Sequence, residues 1–320
     1  MNYLDSALIK RVDAKLERLN KAQPLRSTVV NKLKEQFQIE MTYNSNAIEG
    51  NSLTKKETYL VISQGITIKG KPLKDHLEAK DHYEALEYVY EIVQPQKNIT
   101  LSEHLIRILH QLVVKKSDPE IAGMYRTGSV IITGSGHVPP DPSEIPGLMN
   151  NLIKEFNKLK NKLHPIELAA LLHHKIVNIH PFFDGNGRTA RLVMNVLLMR
   201  KGYPLSIILK NDRFRYYRLL GQADRGNLGP FMRFIAQSVE RPLVIYLNSI
   251  RLKEGKTEKL YSLLELSKHV PYSSKYLNLL AISGQLEAHK QDRNWVSSLE
   301  AVKRYMHNRK RKRNVGDIEV

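Results

Sequence analysis

The 320-residue sequence contains no cysteine and one tryptophan, and only 7% of its residues are aromatic. The absence of cysteine excludes disulfides and thiolate metal sites, and it is compatible with a reducing compartment. There is no run of eighteen apolar residues and no charged start followed by an apolar segment. The sequence therefore predicts neither a membrane span nor a signal peptide, and we expect a cytoplasmic protein.

The sequence also has no internal repeat, no P-loop signature and no His-Glu-x-x-His pair. It has a strong positive charge, with 50 lysine and arginine residues against 32 acidic ones, a net of +18. Residues 251–320 hold 15 of the basic residues and 8 of the acidic ones, so +7 lies there and +11 elsewhere. The basic character is therefore diffuse. The length and the 42% of hydrophobic residues are typical of a globular chain of about two domains.

Apolar residues recur at helical spacing along most of the sequence, and strand signals are few. We therefore predict a mainly α fold. The predicted helices span 4–20, 27–39, 53–64, 77–93, 101–114, 146–159, 165–179, 186–201, 213–225 and 228–252.

The densest cluster of reactive side chains lies at residues 180–191, which read His-Pro-Phe-Phe-Asp-Gly-Asn-Gly-Arg-Thr-Ala-Arg. Helical periodicity precedes and follows this segment, which is therefore predicted to join two helices. Asn186 and the residues after it open the second helix. Unpaired N–H groups and the positive end of the helix dipole favour an anion such as phosphate there.

Each residue type in this segment suits phosphate chemistry. The pKa of a histidine is ordinarily near 6.5, so His180 could take a proton from an attacking hydroxyl. Asp184 offers an oxygen ligand for Mg²⁺, which usually binds one or two carboxylates together with substrate phosphates. Arg188 and Arg191 lie three residues apart on one helical face, and their planar forks suit phosphate oxygens.

Three other interpretations of the segment are weaker. Gly185 and Gly187 fit the loose dinucleotide fingerprint, but that motif follows a strand and here a helix precedes it. Asp-Gly-Asn-Gly resembles part of a calcium loop, yet Asn195 stands where the bidentate glutamate is expected. His173 and His174 beside the segment could suggest a metal site, but neither spacing nor cysteines support one, and they are expected to be helix-face residues.

The segment resembles the Fic-family motif, His-x-Phe-x-Asp/Glu-Gly-Asn-Gly-Arg-x-x-Arg, at every specified position. Fic proteins typically move AMP from ATP to a Ser, Thr or Tyr hydroxyl of a protein and release pyrophosphate. The resemblance implies that His180 is the base, that Asp184 binds Mg²⁺, and that Phe182 anchors the loop in the core. It implies that ATP is bound by Gly185, Asn186, Gly187, Arg188 and Arg191, with Asn186 on the α-phosphate and the two arginines on the β- and γ-phosphates.

A second segment resembles the family's inhibitory motif, Ser/Thr-x-x-x-Glu-Gly/Asn, through Ser45, Glu49 and Gly50. A glutamate directed at Arg191 would form a charge-assisted pair and occupy the place of the ATP γ-phosphate. A helix that ends in glycine after a solvated glutamate would also satisfy this pattern. The segment is followed by Thr54-x-x-Glu57, which is typical of a helix capping box and also resembles the family's N-terminal region.

Residues 123–140 are rich in turn residues around a short β-branched run, which predicts a hairpin. In Fic proteins such a flap lies over the site and holds the target segment by backbone pairing. An ordinary surface hairpin would have the same pattern. The predicted target-binding residues are Val130, Ile131, Ile132, Thr133 and Gly134.

The predicted helix over 213–225 resembles the one that closes the nucleotide end of the family pocket. On that basis Tyr216 is predicted to lie on the adenine side. Where relatives often have Asn, this sequence has Asp224, which leaves a base or ribose contact there open.

After residue 254 the pattern changes to short helices over 259–268 and 273–283, two strands over 284–289 and 294–298, and a helix over 299–308. This order resembles a small winged helix-turn-helix domain, whose second helix would enter a DNA groove. The residues predicted nearest DNA are Ser273, Ser274, Lys275 and Asn278. Such domains also serve as protein-docking or dimer surfaces. The basic run at 309–313 is typical of a solvated tail.

We therefore predict an N-terminal helical region over 1–100 with the inhibitory motif, a Fic core over 101–250, a winged-helix-like domain over 255–308 and a basic tail over 309–320. The expected function is a self-inhibited protein adenylyltransferase that uses ATP and Mg²⁺ on a target protein, possible targets including the protein itself. The alternatives are removal of AMP with the help of Glu49, and a DNA-associated regulator that uses the Fic fold to sense nucleotide or to modify a partner. Family members dimerise, but no residue here indicates a homodimer.

Overall fold

The computed structural model describes residues 3–97, 99–132, 136–251, 258–291 and 293–316. Contacts divide these residues into two compact units, one formed by residue 3 and residues 24–239, the other by residues 4–23 and residues from 240 onward. The first helix of the chain is thus grouped with C-terminal residues, which the sequence did not indicate. None of the helices in the described part of the chain is long and apolar enough to cross a membrane.

The first unit is helical. It contains α2 (Ser27–Glu49), α3 (Lys55–Ser63), α4 (Leu73–Ile92), α5 (Glu103–Val114), α6 (Ile145–Leu159), α7 (Pro165–Ile179), α8 (Asn186–Arg200), α9 (Arg213–Asp224) and the start of α10 (Gly229–Arg251). Short 3₁₀ turns lie at Pro119–Ile121, Pro142–Glu144 and Lys210–Asp212. The mainly α prediction is confirmed.

Helix α8 lies in the core of this unit, because its apolar side chains are buried on all faces, among them Leu192, Val193 and Met194. Helices α7 and α5 pack against it. Helix α2 is ten residues longer than predicted. No residue between 40 and 49 breaks the helix, and Gly50, in the left-handed conformation at φ 110°, ends it. Glu49 is therefore the last residue of α2.

The capping box at the start of α3 is present, since Thr54 accepts a hydrogen bond from the Glu57 N–H and Glu57 accepts one from the Thr54 N–H.

The hairpin predicted for residues 123–140 is not formed by strands in the described residues of that segment. A two-stranded hairpin alone is marginally stable, which explains why β-branched residues are not sufficient. Thr133 and Gly134 lie outside the described residues.

The second unit contains α1 (Ser6–Lys21), the end of α10, β1 (Leu260–Ser262), α11 (Leu263–Leu266), α12 (Ser274–Ile282), β2 (His289–Gln291), β3 (Asn294–Ser298) and α13 (Leu299–Gly316). The strands form an antiparallel sheet in the order β1-β3-β2. Tyr261 pairs with Ser297, and Lys290 pairs with Trp295. Leu266, Leu277 and Val302 lie in the core of these elements.

Three sequence predictions in this unit need correction. The first strand was predicted over 284–289, but β2 spans 289–291. Residues 259–268 were predicted to form one helix, but β1 occupies its start because residues 260–262 pair with β3. Helix α13 continues to Gly316 rather than ending at residue 308, so the basic run at 309–313 lies within the helix. Within this unit, Arg11 and Lys15 of α1 bind the buried Glu240 at 2.7 and 3.0 Å. Burial acts to raise the pKa of Glu240, but these two cations lower it to about 2.

Candidate active site

The predicted junction between two helices is present between α7 and α8. Helix α7 ends at Ile179, and His180 follows it with φ 50° and ψ 58°. Among the described residues, His180 is the only residue other than glycine with a positive φ. Such a conformation is uncommon for a histidine, and strain of this kind is found most often at functional sites. It directs the chain sharply from α7 into the loop that leads to α8.

The His180 ring is half-buried beside this turn. Its Nδ1 lies 3.4 Å from the Val177 carbonyl oxygen, at the long end of hydrogen bonding. Burial lowers the pKa of His180 to about 4, with the Arg126 cation acting in the same direction. The imidazole is therefore neutral at pH 7, which is the form that can accept a proton.

The loop is held by a pair of hydrogen bonds that the sequence did not indicate. Asn186 Oδ1 accepts from the Phe182 N–H at 2.9 Å, and its Nδ2 donates to the Phe182 carbonyl oxygen at 2.8 Å. These bonds use the amide oxygen and one of the two amide hydrogens of Asn186. One amide hydrogen and the backbone N–H of Asn186 thus remain for the predicted contact with the α-phosphate. Phe182 is fully buried, in agreement with its expected anchoring role.

His110 of α5 is a positioning residue that sequence reasoning missed. Its Nδ1 accepts a hydrogen bond from the Gly123 N–H at 3.0 Å, which leaves Nε2 to donate to the Asp184 carbonyl oxygen at 3.0 Å. Its ring stacks on Phe182 with centroids 3.7 Å apart. Burial lowers the pKa of His110 to about 4, so the neutral form with the proton on Nε2 supports the loop. Neither the hydrogen bond from Nε2 nor the stacking of the ring could be inferred from a single histidine in a predicted helix.

Gly185 fits a position that no other residue would occupy without strain. Its φ is 76°, and a Cβ built there would lie 3.0 Å from Val114 Cγ1 and 3.4 Å from the His110 ring. We expect Gly185→Ala to lower the free energy of unfolding by about 1–3 kcal/mol, as for other residues forced into left-handed conformations. Urea unfolding measures this effect.

Gly147 in α6 provides the matched control. A Cβ there meets no atom within 4 Å, and the backbone is helical. Gly147→Ala should leave stability unchanged or slightly raised. Equal destabilisation by the two variants would contradict the special role of Gly185.

Asp184 stands at the solvent side of the loop, with its side chain 42% exposed. Oδ1 accepts from the Gly185 N–H at 2.6 Å and lies 3.3 Å from Arg188, while Oδ2 lies 3.5 Å from the Lys74 ammonium. Burial acts to raise the pKa of Asp184, but Arg188, the Gly185 N–H and Lys74 hold it below its ordinary value. The carboxylate is therefore ionised and accessible.

Arg188 is a buried cation with unused donors. Its side chain is 1% exposed, and its NH1 lies 3.4 Å from Glu78 Oε1. Nε and NH1 make no hydrogen bond to any described residue. Burying guanidinium donors without partners costs free energy, so the arrangement suits an anionic ligand that would accept hydrogen bonds from them.

The pair predicted between Glu49 and Arg191 is present in the structure. Arg191 NH2 donates to Glu49 Oε1 at 2.6 Å. Its Nε and NH2 also donate to Ser45 Oγ and the Ser45 carbonyl oxygen, at 2.9 and 2.8 Å. Burial acts to lower the pKa of Arg191, but Glu49, Tyr216 and Tyr217 together raise it above its ordinary value. Ser45 and Glu49 are thus brought to Arg191, which lies 146 and 142 positions further along the sequence.

The Glu49 carboxylate lies against the first turn of α8. A Cβ built on Gly187 would collide with Glu49 Oε1, so a residue larger than glycine would exclude the carboxylate. The first turn of a helix is an anion site. In this structure the protein's own glutamate occupies it, and Gly50 ends α2 directly afterwards.

Tyr216, which was predicted to lie on the adenine side, is buried in the structure. Its ring is 1% exposed and packs near Phe231 and Phe234, and its hydroxyl lies 2.8 Å from His173 Nε2. The next residue, Tyr217, is half-buried, and its hydroxyl lies 3.3 Å from Glu49 Oε2. Adjacent tyrosines on one helix differ by about 100° in direction, and the sequence alone did not show which one faces the core.

Asp224 accepts hydrogen bonds from protein groups. His174 Nε2 and Asn178 Nδ2 both lie 2.9 Å from Asp224 Oδ1. His173 and His174 are buried on α7 rather than on a solvent face, and no cluster of metal-ligating side chains occurs in the described ranges.

Arg126 is a second residue that sequence reasoning missed. It is buried, and its guanidinium donates to the carbonyl oxygens of His180, Gly128 and Pro140 at 2.8, 3.0 and 2.6 Å. It thereby ties the segment after it to the loop between α7 and α8. In that segment Val130 and Ile132 are half-buried, whereas Ile131 is 95% exposed.

The candidate DNA-contact residues lie at the start of α12 in the second unit. Ser273 caps the helix by accepting from the Tyr276 N–H, and Asn278 donates to the Ser274 carbonyl oxygen at 2.9 Å. Lys275 is exposed. The same helix also exposes Leu279 (57%) and Ile282 (46%).

Comparisons with known proteins agree with this geometry. The family model "Fic/DOC family" matches residues 100–198. The chain is 40% identical over 255 residues to "Protein adenylyltransferase Fic" of Nematostella vectensis, covering 78% of this chain and 58% of that protein. It is 38% identical to the protein of the same name from Drosophila mojavensis, covering 77% of this chain and 48% of that protein. The chain thus spans about half the length of these curated relatives.

Two solved structures are similar. A Fic domain containing signaling protein from Bacteroides thetaiotaomicron has a TM-score of 0.69 and 32% identity, covering 78% of this chain and 98% of that one. Fic-1 from C. elegans has a TM-score of 0.70 and 29% identity, covering 77% and 72%. The fold and the site define a helical protein in which a glutamate of the same chain occupies the anion site at the N-terminus of α8. The chain belongs to the Fic family.

Proposed function

We propose that the chain is a protein adenylyltransferase that moves AMP from ATP to a Ser, Thr or Tyr hydroxyl of a protein, and that Glu49 inhibits it. The ion pair between Glu49 and Arg191, beside His180 at the start of α8, carries this proposal. The names of the curated relatives support the same activity.

The reaction follows from the placement of the side chains. Neutral His180 takes the proton of the target hydroxyl, whose oxygen then bonds to the α-phosphorus of ATP. The bond from the α-phosphorus to the bridging oxygen breaks, and pyrophosphate leaves. Arg188 and Arg191, with the N–H groups of α8, supply positive charge where phosphate oxygens would lie.

The donor set at Asp184 fits Mg²⁺. The accessible, ionised carboxylate is the single protein ligand that Mg²⁺ often uses beside phosphates and water. When bound, Mg²⁺ would neutralise phosphate charge during transfer. Lys74 lies 3.5 Å from the same carboxylate and helps to keep it ionised.

We also propose that residues 130–134 hold the target segment. Exposed Ile131 and the backbone of this flap are suited to pairing with an extended chain. Arg126 supports the proposal, because it fixes the flap to the His180 carbonyl oxygen. A cytoplasmic location and a homodimer remain expectations from sequence and family.

Inhibition is tested by transfer of label from α-labelled ATP. We expect Glu49→Gly to raise self-labelling or labelling of lysate proteins at least tenfold, because the Arg191 NH2 hydrogen that binds Glu49 becomes free for phosphate, each tenfold step being about 1.4 kcal/mol. Adding His180→Ala should abolish the gain. Glu35→Gly, at an exposed position of the same helix, controls for the glycine itself. Labelling that stays at the wild-type level in Glu49→Gly would reject the inhibition.

Reversal of the modification is a related proposal, with Glu49 activating water to release AMP from the target. Its support is the position of the carboxylate, 31% exposed and directed at the phosphate-binding arginine. Release of AMP from labelled substrate by the wild type but not by Glu49→Ala would establish it, and equal release by both would reject it.

For the winged-helix-like module, the exposed Leu279 and Ile282 favour a protein partner over DNA. Ser273 and Asn278 already serve the helix backbone, although exposed Lys275 could contact phosphate. A fluorescence titration with duplex DNA at two salt concentrations measures DNA affinity with and without residues 255–320, and it decides between DNA and a protein partner.

A further inference from the structure

The inhibitory carboxylate is held at both of its oxygens. Oε1 accepts from Arg191 of α8, whereas Oε2 lies 3.3 Å from the hydroxyl of Tyr217 on α9. The same hydroxyl lies 3.3 Å from the carbonyl oxygen of Ile48, so its one hydrogen is shared between two acceptors at the end of α2. Two helices of the core thus contact the end of the inhibitory helix, through different groups.

Tyr217 is itself held in place. The Arg213 guanidinium lies over its ring, with Cζ 5.4 Å from the centroid. Burial, together with the Glu49 charge, raises the pKa of Tyr217, so the hydroxyl keeps its proton and acts as a donor. The Glu49 side chain is 31% exposed. Packing alone therefore does not enclose the carboxylate, and its position depends on the polar contacts it makes.

We propose that Tyr217 is a positioning residue that holds Glu49 in the inhibitory place and thereby sets the fraction of molecules that can bind ATP productively. The proposal deepens the proposed function and rests on its view of Glu49 as a competitor of the γ-phosphate. When only a fraction of the molecules is competent, the apparent affinity falls by that fraction. Loss of one of the two contacts to Glu49, from Arg191 or from Tyr217, raises the fraction of competent molecules.

The test compares wild type, Tyr217→Phe, Glu49→Gly and the double variant by calorimetric titration with ATP and with AMP. The phenylalanine keeps the ring against Arg213 and removes only the hydroxyl. We expect ATP to bind Tyr217→Phe about threefold to tenfold more tightly than wild type, as for loss of one solvent-accessible hydrogen bond to a charged group. AMP has no γ-phosphate, so its affinity should not change. Tyr59→Phe, at an exposed tyrosine of α3, is the control.

The effect should vanish when Glu49 is already absent, so the double variant should bind ATP like Glu49→Gly. A gain of equal size in both backgrounds, or an equal gain for AMP, would show that Tyr217 acts on the nucleotide directly and would overturn the proposal. Unchanged ATP affinity in Tyr217→Phe would overturn it too. Absence of AMP transfer by every variant would reject the adenylyltransferase function, while the binding comparison would still decide the role of Tyr217.

Discussion

In the Glu49→Gly background, His180→Ala is expected to lower the rate of AMP transfer about 10²- to 10⁴-fold, the usual contribution of a general base. The half-buried ring lies at the sharp turn from α7 into the loop, and no other described histidine occupies that turn. ATP binding should be retained, because the phosphate donors come from α8. Single-turnover labelling with saturating ATP and Mg²⁺ measures the rate, and calorimetry measures ATP binding.

The pH profile gives an independent check on this role. Burial lowers the pKa of His180 to about 4, so the base stays neutral, and the rate should stay high, until the pH falls towards 4. An unperturbed histidine would lose activity near pH 6.5. A rate that falls by half near pH 6.5, or a His180→Ala variant within about threefold of its parent, would exclude His180 as the base.

The free energy of unfolding is expected to fall steeply between pH 6.5 and 5. His82, His110 and His173 are fully buried in the first unit. Burial lowers the pKa of His82 well below its ordinary value, that of His110 to about 4 and that of His173 to about 3. In the unfolded chain their pKa values return to about 6.5, so the unfolded state binds more protons below that pH and is favoured.

The size of this effect is large. At pH 5 each of the three histidines costs roughly 2 kcal/mol, and together they cost roughly 6 kcal/mol, against a typical stability of about 5–15 kcal/mol. Carboxylates with lowered pKa values, such as Glu240 at about 2, add to the loss mainly below pH 4.5. Urea unfolding at pH 7, 6 and 5 measures the slope.

A pair of variants tests the origin of the slope. His173→Gln removes one buried ring and should reduce the slope by about one proton, although the variant itself is less stable at pH 7. His104→Gln, at an exposed position of α5, should leave the slope unchanged. A free energy of unfolding that is level between pH 7 and 5 would show that these rings are not neutral in the folded protein.

The sequence predicted the parts of the site that follow from local pattern. Helix periodicity on both sides of residues 180–191 placed His180 at a helix end and Asn186 at a helix start, and both positions are confirmed. The contact between Glu49 and Arg191 was predicted through the family resemblance, since nothing local joins residues so far apart. The length of α2 was underestimated, because apolar periodicity fades where a helix carries polar residues such as Asn44 and Asn46 on buried faces.

Other features depend on tertiary contacts that a single sequence does not specify. The choice between Tyr216 and Tyr217 depends on how α9 is rotated against the core. The support of the loop by His110 and Arg126 needs distances between α5, the flap and the loop. Strand β1 is three residues long, and it forms because β3 lies beside it rather than because of its own propensity.

The bonds between Arg191 and Ser45 have a consequence for how inhibition ends. Two of the guanidinium nitrogens donate to Ser45, which lies one turn before Glu49 on α2, and these bonds do not involve the Glu49 carboxylate. When the Glu49 side chain moves away, the bonds to Ser45 therefore keep the Arg191 guanidinium in its present side-chain conformation. In the proposed function, activation then requires movement of the Glu49 side chain and leaves the loop between α7 and α8 in place.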